Sequence, residues 1–299
     1  MKITQRFLQI SSLLALLAIS TQPSAQTALT AEQIMAKVDF AVRKAFKTQV
    51  ASVKITTCRY TMAKGAVKCS GKPRVVIADN VKKIRNDGGV YSDRQVSVVR
   101  DPVSDKGTGL LVYEYGERGR DNDNWLYLPA LAKVNRVIAS DDEGGSVFGS
   151  EFSVETTENP EGRKLYEYSY KILQDTKYQG RDVWVIEILP TAEKARKTKY
   201  SRIVTWIDKQ SLLTLKEDMY RSGILHKQRT QSDIRRIDGV YISMKVVMNN
   251  RATSRVSQMD KMAMRHNVDV ADEYLTQRAL TDFAFRERNL AGFRALLGK

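Results

Sequence analysis

The chain holds little of what catalytic and metal-binding proteins draw on. It has two histidines, His226 and His266, in 299 residues. They fall on separate predicted strands, with no cysteine or carboxylate at ligand spacing, and two surface polar residues are expected there. GxSxG, HExxH, the P-loop and GxGxxG are absent. Gly149-Ser150 lacks the residues that precede a nucleophile elbow. Asp141-Asp142-Glu143 lacks an EF-hand's spacing, so a solvated loop is expected there, not a calcium site. No acid, base and nucleophile form a set, so the expectation is no enzyme, no cofactor and no metal.

Cysteine is as scarce. Cys58 and Cys69 are the only two. Their spacing excludes a CxxC redox pair, and the lack of partner histidines excludes a zinc cluster. They flank a predicted hairpin, VKITTCRYTM-AKG-AVKCSGK. A turn centred on Ala63-Lys64 places them opposite each other, give or take one residue of register. Opposed positions in an antiparallel pair approach closely enough for a disulfide. Such a staple fits an oxidising compartment.

Long apolar runs are missing after the first residues. Lys2 and Arg6 precede the apolar stretch Phe7 to Ile19, and polar Ser20-Thr21-Gln22 follow. That is a secretory signal, assigned to residues 1–25, with cleavage between Ser20 and Ala25. An uncleaved anchor is the alternative. Residues 26–299 are expected to form one soluble, exported domain, with the periplasm as its compartment.

What the chain has in plenty is positive charge and β-pattern. Its 49 Lys and Arg against 34 Asp and Glu give a formal charge of +15. Such a balance often means nucleic acid, but export argues against that partner. Anionic lipid head groups, met in transient contact with a membrane surface, are one alternative. A generally basic surface with no dedicated ligand is the other. The charged segments, such as Lys82-Lys83-Ile84-Arg85 and Arg235-Arg236, are expected on outer faces or rims.

One amphipathic helix is predicted from Thr30 to Lys47, with Thr30 and Gln33 as a capping box and Ile34, Val38, Ala41, Val42 and Ala45 on one face. From Val50 to about Met248 strand runs recur between turns. Pro73 to Ala78 and Val81 to Arg85 are expected as two strands joined through Asp79-Asn80. Trp125 to Leu128, Val134 to Ile138 and Ser146 to Phe152 follow, with Gly149 placed for a bulge, a bend or a close approach. Lys164 to Asp175, Asp182 to Leu189, Lys199 to Asp208, Leu212 to Tyr220, Ile224 to Asp233, Tyr241 to Asn249 and Thr253 to Met264 continue the pattern. Ala271 to Leu280 and Phe283 to Leu297 are predicted helices. So many strands cannot stay flat and open. The pattern predicts a single long, strongly curved antiparallel meander with helices packed on one face. Charges on both strand faces and a helical end speak against an outer-membrane barrel.

Several blocks carry a resemblance. They are Asp105-Lys106-Gly107-Thr108-Gly109-Leu110-Leu111, Trp125-Leu126-Tyr127-Leu128-Pro129-Ala130-Leu131, Arg136-Val137-Ile138, Phe148-Gly149-Ser150-Glu151-Phe152, Tyr200 to Asp208 and Leu275 to Leu280. In this order the chain resembles the bacterial outer-membrane lipoprotein-sorting protein family, related to the LolA and LolB carriers. The resemblance spans nearly all of the predicted mature chain. It implies a mainly β fold, an incomplete, strongly curved antiparallel β-barrel with a few α-helices covering its concave side. It also implies a carrier that holds acyl chains of lipoproteins or lipids in an apolar concavity during periplasmic transit. Family members often accompany RND-type (MMPL-like) transporters, which makes such a transporter the protein partner to expect.

Trp184, Ile186, Ile188, Ile203, Ile242 and Met244 are the cavity candidates, because alternation puts them on single apolar strand faces. Tyr166, Tyr168 and Tyr170 and the tryptophans Trp125, Trp184 and Trp206 could line a cavity or fill a core. The second reading is a periplasmic adaptor that binds a membrane transporter through an exposed sheet edge and carries no lipid.

Overall fold

The computed structural model describes residues 28–63, 66–87, 90–138, 146–157 and 164–298. The predicted signal segment, the Asp141–Gly145 loop and the tip of the first hairpin lie outside them. Helix α1, Ala31–Ala45, opens the described chain. The capping box is present: the Thr30 hydroxyl accepts from the Gln33 backbone N–H, and Gln33 Oε1 accepts from the Thr30 N–H. These bonds satisfy donors that a first helical turn leaves free. Ile34, Met35 and Val38 form its buried face.

Among the described residues thirteen strands make one antiparallel sheet. They are β1 (Thr48–Ala63), β2 (Ala66–Asp87), β3 (Val90–Asp101), β4 (Gly109–Tyr115), β5 (Asp123–Leu128), β6 (Lys133–Arg136), β7 (Tyr168–Tyr178), β8 (Arg181–Pro190), β9 (Arg202–Asp208), β10 (Thr214–Arg221), β11 (Ile224–Ile237), β12 (Val240–Asn250) and β13 (Arg255–His266). The spatial order is β6-β5-β4-β3-β2-β1-β13-β12-β11-β10-β9-β8-β7. The chain thus winds outward from the middle to β6, restarts at the far edge with β7, and returns until β13 pairs with β1. Edges β6 and β7 remain unpaired to each other, so the barrel is not closed.

The sheet is curled. Its inward positions on β1 to β4 (Ile55, Ala78, Val99, Leu110) share one apolar cluster with Ile186, Ile188, Ile203, Met219 and Met248 from the other half and with α1. Bulges at Ser52/Val53 and Thr57/Arg59 in β1 add to the bending.

Consecutive leucines show how the two faces divide. Leu110 and Val112 point to the inner cluster, whereas Leu111 points out, with Val50, Val81, Val96 and Val98, to a second cluster. Tyr274, Leu275, Ala279, Leu280 and Leu290 cover this outer cluster. They come from a short 3₁₀ turn, from α2 (Gln277–Thr281) and from α3 (Phe283–Leu296). Helix α1 therefore takes the concave side, but the C-terminal helices pack on the opposite face, so the helices occupy both faces and not one as expected. Gly109 sits under the latter: a Cβ there would lie 2.6 Å from Leu280 Cδ2.

Several expectations are corrected. Strand β2 runs through Asp79 and Asn80 without a turn. Asp79 lies opposite Ser52 and Val98, and Asn80 opposite Ala51 and Ser97. The turn-forming side chains find tertiary partners instead: Asp79 with Arg294 of the C-terminal helix at 2.7 Å and Arg100 of β3 at 3.5 Å, Asn80 with Ser97 of β3 at 2.8 Å. Ser146 to Phe152 is a tight loop, closed by a single bridge between Ser146 and Ser153, and not a strand. Phe148 and Gly149 both take positive φ, 53° and 72°, a bend that glycine accepts without strain. Strand β7 begins at Tyr168, after a 3₁₀ turn over Leu165–Glu167.

The disulfide between Cys58 and Cys69 is formed, with Cα atoms 5.7 Å apart. Cys69 lies opposite Tyr60, and the bulge beside Cys58 brings the two sulfurs together. Above this staple the hairpin leaves the sheet. Strand β13 ends its pairing at Arg59↔Arg255, and β3 ends at Ile77↔Asp101. Residues 67–75, with Thr61 and Met62, are exposed.

Candidate functional site

Between α1 and the curled sheet lies a cavity of about 560 Å³, within the range of roughly 300–1,000 Å³ typical of small-molecule sites. Its walls follow from strand alternation. Gln49, Ala51, Val53 and Ile55 are successive inward residues of β1; Ala78, Asn80 and Lys82 follow on β2, and Gln95 and Ser97 on β3. From the other half come Arg229 and Gln231 of β11, Ile242 and Val246 of β12, and Met259, Lys261 and Met264 of β13. The C-terminal end of α1 supplies Ala41, Val42, Ala45 and Phe46, and the tight loop supplies Val147, Phe148 and Phe152. Small alanines at four of these positions leave the space open. Three methionine and phenylalanine side chains, Met259, Met264 and Phe148, give it a soft apolar wall.

The cavity is chemically two-sided. Against this apolar wall stands a polar strip across three adjacent strands. Asn80 Nδ2 donates to Ser97 Oγ at 2.8 Å, and Gln95 Nε2 donates to the same oxygen at 3.4 Å. Lys82 forms an ion pair with Asp93 at 2.8 Å, Asp93 being fully buried. Burial opposes the charge on Lys82, but Asp93 and Glu114 outweigh it and raise its pKa. Arg229 and Glu217 form a second buried pair at 2.8 Å. Charged residues thus lie inside the sheet as well as on rims, contrary to expectation, and each of these two cations is matched by an acid. A lone charge there would cost several kcal/mol.

The Ser146–Ser153 loop, which lines the cavity, is held by a further set of bonds. Glu151 accepts from Asn250 at 2.7 Å and from Arg255 Nε at 2.5 Å. Lys227 Nζ donates to the Glu151 carbonyl at 2.7 Å, and burial pushes its pKa down despite the nearby carboxylate. Ser257 Oγ accepts from the Glu151 N–H at 2.8 Å. These bonds fix Phe148 and Phe152 against the cavity. On its outer side the loop meets the hairpin, where Arg74 donates to the Phe148 carbonyl at 3.3 Å.

His266 is buried, not a surface residue; it stacks on Phe46 with ring centroids 4.7 Å apart. Burial lowers its pKa, and the Asp238 carboxylate, 3.6 Å from Nδ1, only partly offsets this. Phe46 and Asp238 both line the cavity. His226 is half-buried.

The six sequence candidates fall into two groups. Ile242 lines the cavity, and Met244 packs beside it with Ala51 and Met264. Ile186, Ile188 and Ile203 are buried together in the inner cluster with α1, and Trp184 packs against them. Tyr168 and Tyr170 pack on the same cluster. Trp125 and Trp206 belong to clusters of the other face. Sequence reasoning missed the polar strip and the alanines. The alternation Gln49-Ala51-Val53-Ile55 could have pointed to them. Among the described residues no group of three or more His, Cys, Asp or Glu could hold a metal ion, and no helix is long and apolar enough to cross a membrane.

A family model described as an uncharacterized protein matches residues 91–282. No curated protein matches. Among solved structures, a DUF1329 family protein from Desulfovibrio piger is similar over 84% of this chain and 97% of its own, at 24% identity and a TM-score of 0.73. An outer membrane lipoprotein-sorting protein domain from Vibrio parahaemolyticus aligns over 84% of this chain and 98% of its own, at 22% identity and a TM-score of 0.69. A LolA superfamily protein from Nitrosomonas europaea aligns over 83% and 98%, at 19% identity and a TM-score of 0.57. At these identities the likeness is one of fold, and it agrees with the resemblance carried by the sequence blocks.

Proposed function

The chain belongs to the family of uncharacterized proteins whose model matches residues 91–282, and from that premise we propose that it is a periplasmic, non-enzymatic carrier. In this reading residues 26–299 form one carrier domain, exported behind a signal at 1–25. The domain holds the acyl chain of a lipoprotein or lipid between α1 and the curled sheet. The observation that carries the reading is the cavity of about 560 Å³, apolar over most of its lining, Phe148 and Phe152 included. An acyl chain gains roughly 0.8 kcal/mol for each CH₂ moved from water into such a wall. The names of the solved relatives, lipoprotein-sorting and LolA superfamily proteins, support the same reading. Transient contact with a membrane surface follows from it, since cargo must be loaded and released. An RND/MMPL-type transporter is proposed as the membrane partner.

The test is native mass spectrometry of protein purified from the cell envelope without detergent, followed by lipid extraction. Bound mass that extracts as lipid or acylated peptide is expected. Ala45, on α1 and lining the cavity, gives the control: Ala45→Trp fills the space from a helix surface. The folded variant should lose the bound mass. Full retention by a folded Ala45→Trp protein would place the lipid elsewhere. A clean apo mass for the unaltered protein, with a membrane protein captured by crosslinking, would favour the adaptor.

A further inference from the structure

We propose that the amphiphile taken by this cavity has an uncharged, hydrogen-bonding head, an amide or a hydroxyl group, and not a carboxylate or a phosphate. The inference rests on the carrier reading and names the head-group chemistry of its cargo.

The polar strip is the first observation. Gln49, Asn80, Gln95 and Ser97 sit at inward positions of β1, β2 and β3 and line the cavity. Their register is contiguous: Gln49 lies opposite Lys82, Lys82 opposite Gln95, and Asn80 opposite Ser97. A primary amide offers two donors and two acceptor sites. Among the described residues, Asn80 and Gln95 each spend one donor on Ser97, and Gln49 makes only a 4.0 Å contact with Met264 Sδ. Three amides therefore keep donors and acceptors for whatever enters.

The second observation concerns charge. Lys82 and Arg229 also line the cavity, but both are held by buried acids at 2.8 Å, Asp93 and Glu217. Lys261 and Asp238 line the cavity too, and both act on His266. An anionic head that paired with Lys82 or Arg229 would draw it from its acid and leave that carboxylate buried without a counter-charge, which is strongly unfavourable. A neutral head uses the amides and disturbs neither pair. Amide-linked acyl chains and acylglycerols share this chemistry.

The experiment is displacement of N-phenyl-1-naphthylamine from the purified full chain at pH 7.4. The competitors carry one chain length and different heads: palmitamide, 1-monopalmitoylglycerol, palmitate and 1-palmitoyl-lysophosphatidylglycerol, each below its micelle concentration. The neutral pair should displace the dye at concentrations at least about tenfold lower than the anionic pair. Equal or better displacement by either anion overturns the head-group inference while leaving the carrier intact. Failure of every amphiphile to displace the dye overturns both. Two variants sharpen the result. Asn80→Leu with Gln95→Leu should remove the neutral preference, and Asp93→Asn should release Lys82 and move preference toward palmitate. Should the variants fail to fold, the panel on the unaltered protein still decides.

Discussion

His266 carries a pH signature close to neutrality. It is stacked on Phe46 and shielded from water, so its folded-state pKa lies below the ordinary 6.5. Below pH 6.5 the unfolded chain then binds a proton that the folded chain resists. Stability rises with pH wherever the unfolded state holds more protons. This contribution is therefore full above pH 6.5 and is lost as the pH falls from 6.5 toward the lowered folded value. Urea unfolding at pH 7.5 and at pH 5.5 should show a loss in the unaltered protein that is smaller in His266→Gln. Comparing the losses within each protein removes the packing cost of the substitution. An equal loss in both would assign the acid sensitivity to other groups. The sequence offered little warning of this role. Two isolated histidines on β-strands look like surface residues, and burial of His266 depends on Phe46, which lies 220 positions away.

Elements show the same division between what is local and what is not. The N-terminal helix was legible to its capping box, because Thr30, Gln33 and the Ile34-Val38 spacing are local signals. Strand β2 was not. Asp79-Asn80 has turn chemistry, but its partners are Arg294 of the C-terminal helix and Ser97 of β3, and only the assembled fold supplies them. The β1–β2 hairpin was half legible. Its disulfide followed from spacing, yet nothing local said that the hairpin would leave the sheet. There it forms an arm with Met62 64% and Val67 46% exposed, opposite each other near the tip. From Arg59 to Arg74 the chain has five cations and no carboxylate. Exposed Met62 and Val67 within a basic stretch match the surface layers of an anionic bilayer, where each nearby Lys or Arg gives about 1 kcal/mol. The proposed membrane contact is therefore expected here. In flotation with phosphatidylglycerol vesicles, Met62→Asp should weaken binding by about tenfold or more, as loss of one buried side chain of roughly 1.5–3 kcal/mol predicts. Phosphatidylcholine vesicles should bind less well. Binding unchanged by Met62→Asp would remove the arm from the contact.

At the scale of the whole molecule, the sheet's two faces support two separate structures. The inner face holds the cavity and α1; the outer face of β1 to β4 holds the C-terminal helices. Alternation within each strand made both faces legible, and the curved antiparallel sheet with them. Strand order was not legible, because its central join pairs Thr57 with Ser257 across 200 positions. Nor was the assignment of helices to faces, since an apolar helix face fits either side of a doubly apolar sheet. The outer pairing should nonetheless govern stability. Val50, Val81, Val96, Val98 and Leu111 are almost fully buried beneath these helices, and each such side chain is worth about 1.5–3 kcal/mol when buried. Together they rival a typical domain stability of about 5–15 kcal/mol. Arg294 adds the ion pair to Asp79, and Tyr113 Oη donates to the Leu275 carbonyl at 2.6 Å. Removing residues 271–299 should therefore abolish cooperative thermal unfolding followed by circular dichroism and leave an aggregating chain. Leu280→Ala in the full chain should cost about 2–5 kcal/mol and keep the transition cooperative. A shortened chain that melts sharply at the full-length temperature would show that the inner cluster stands alone, and that the C-terminal helices serve some purpose other than holding the sheet.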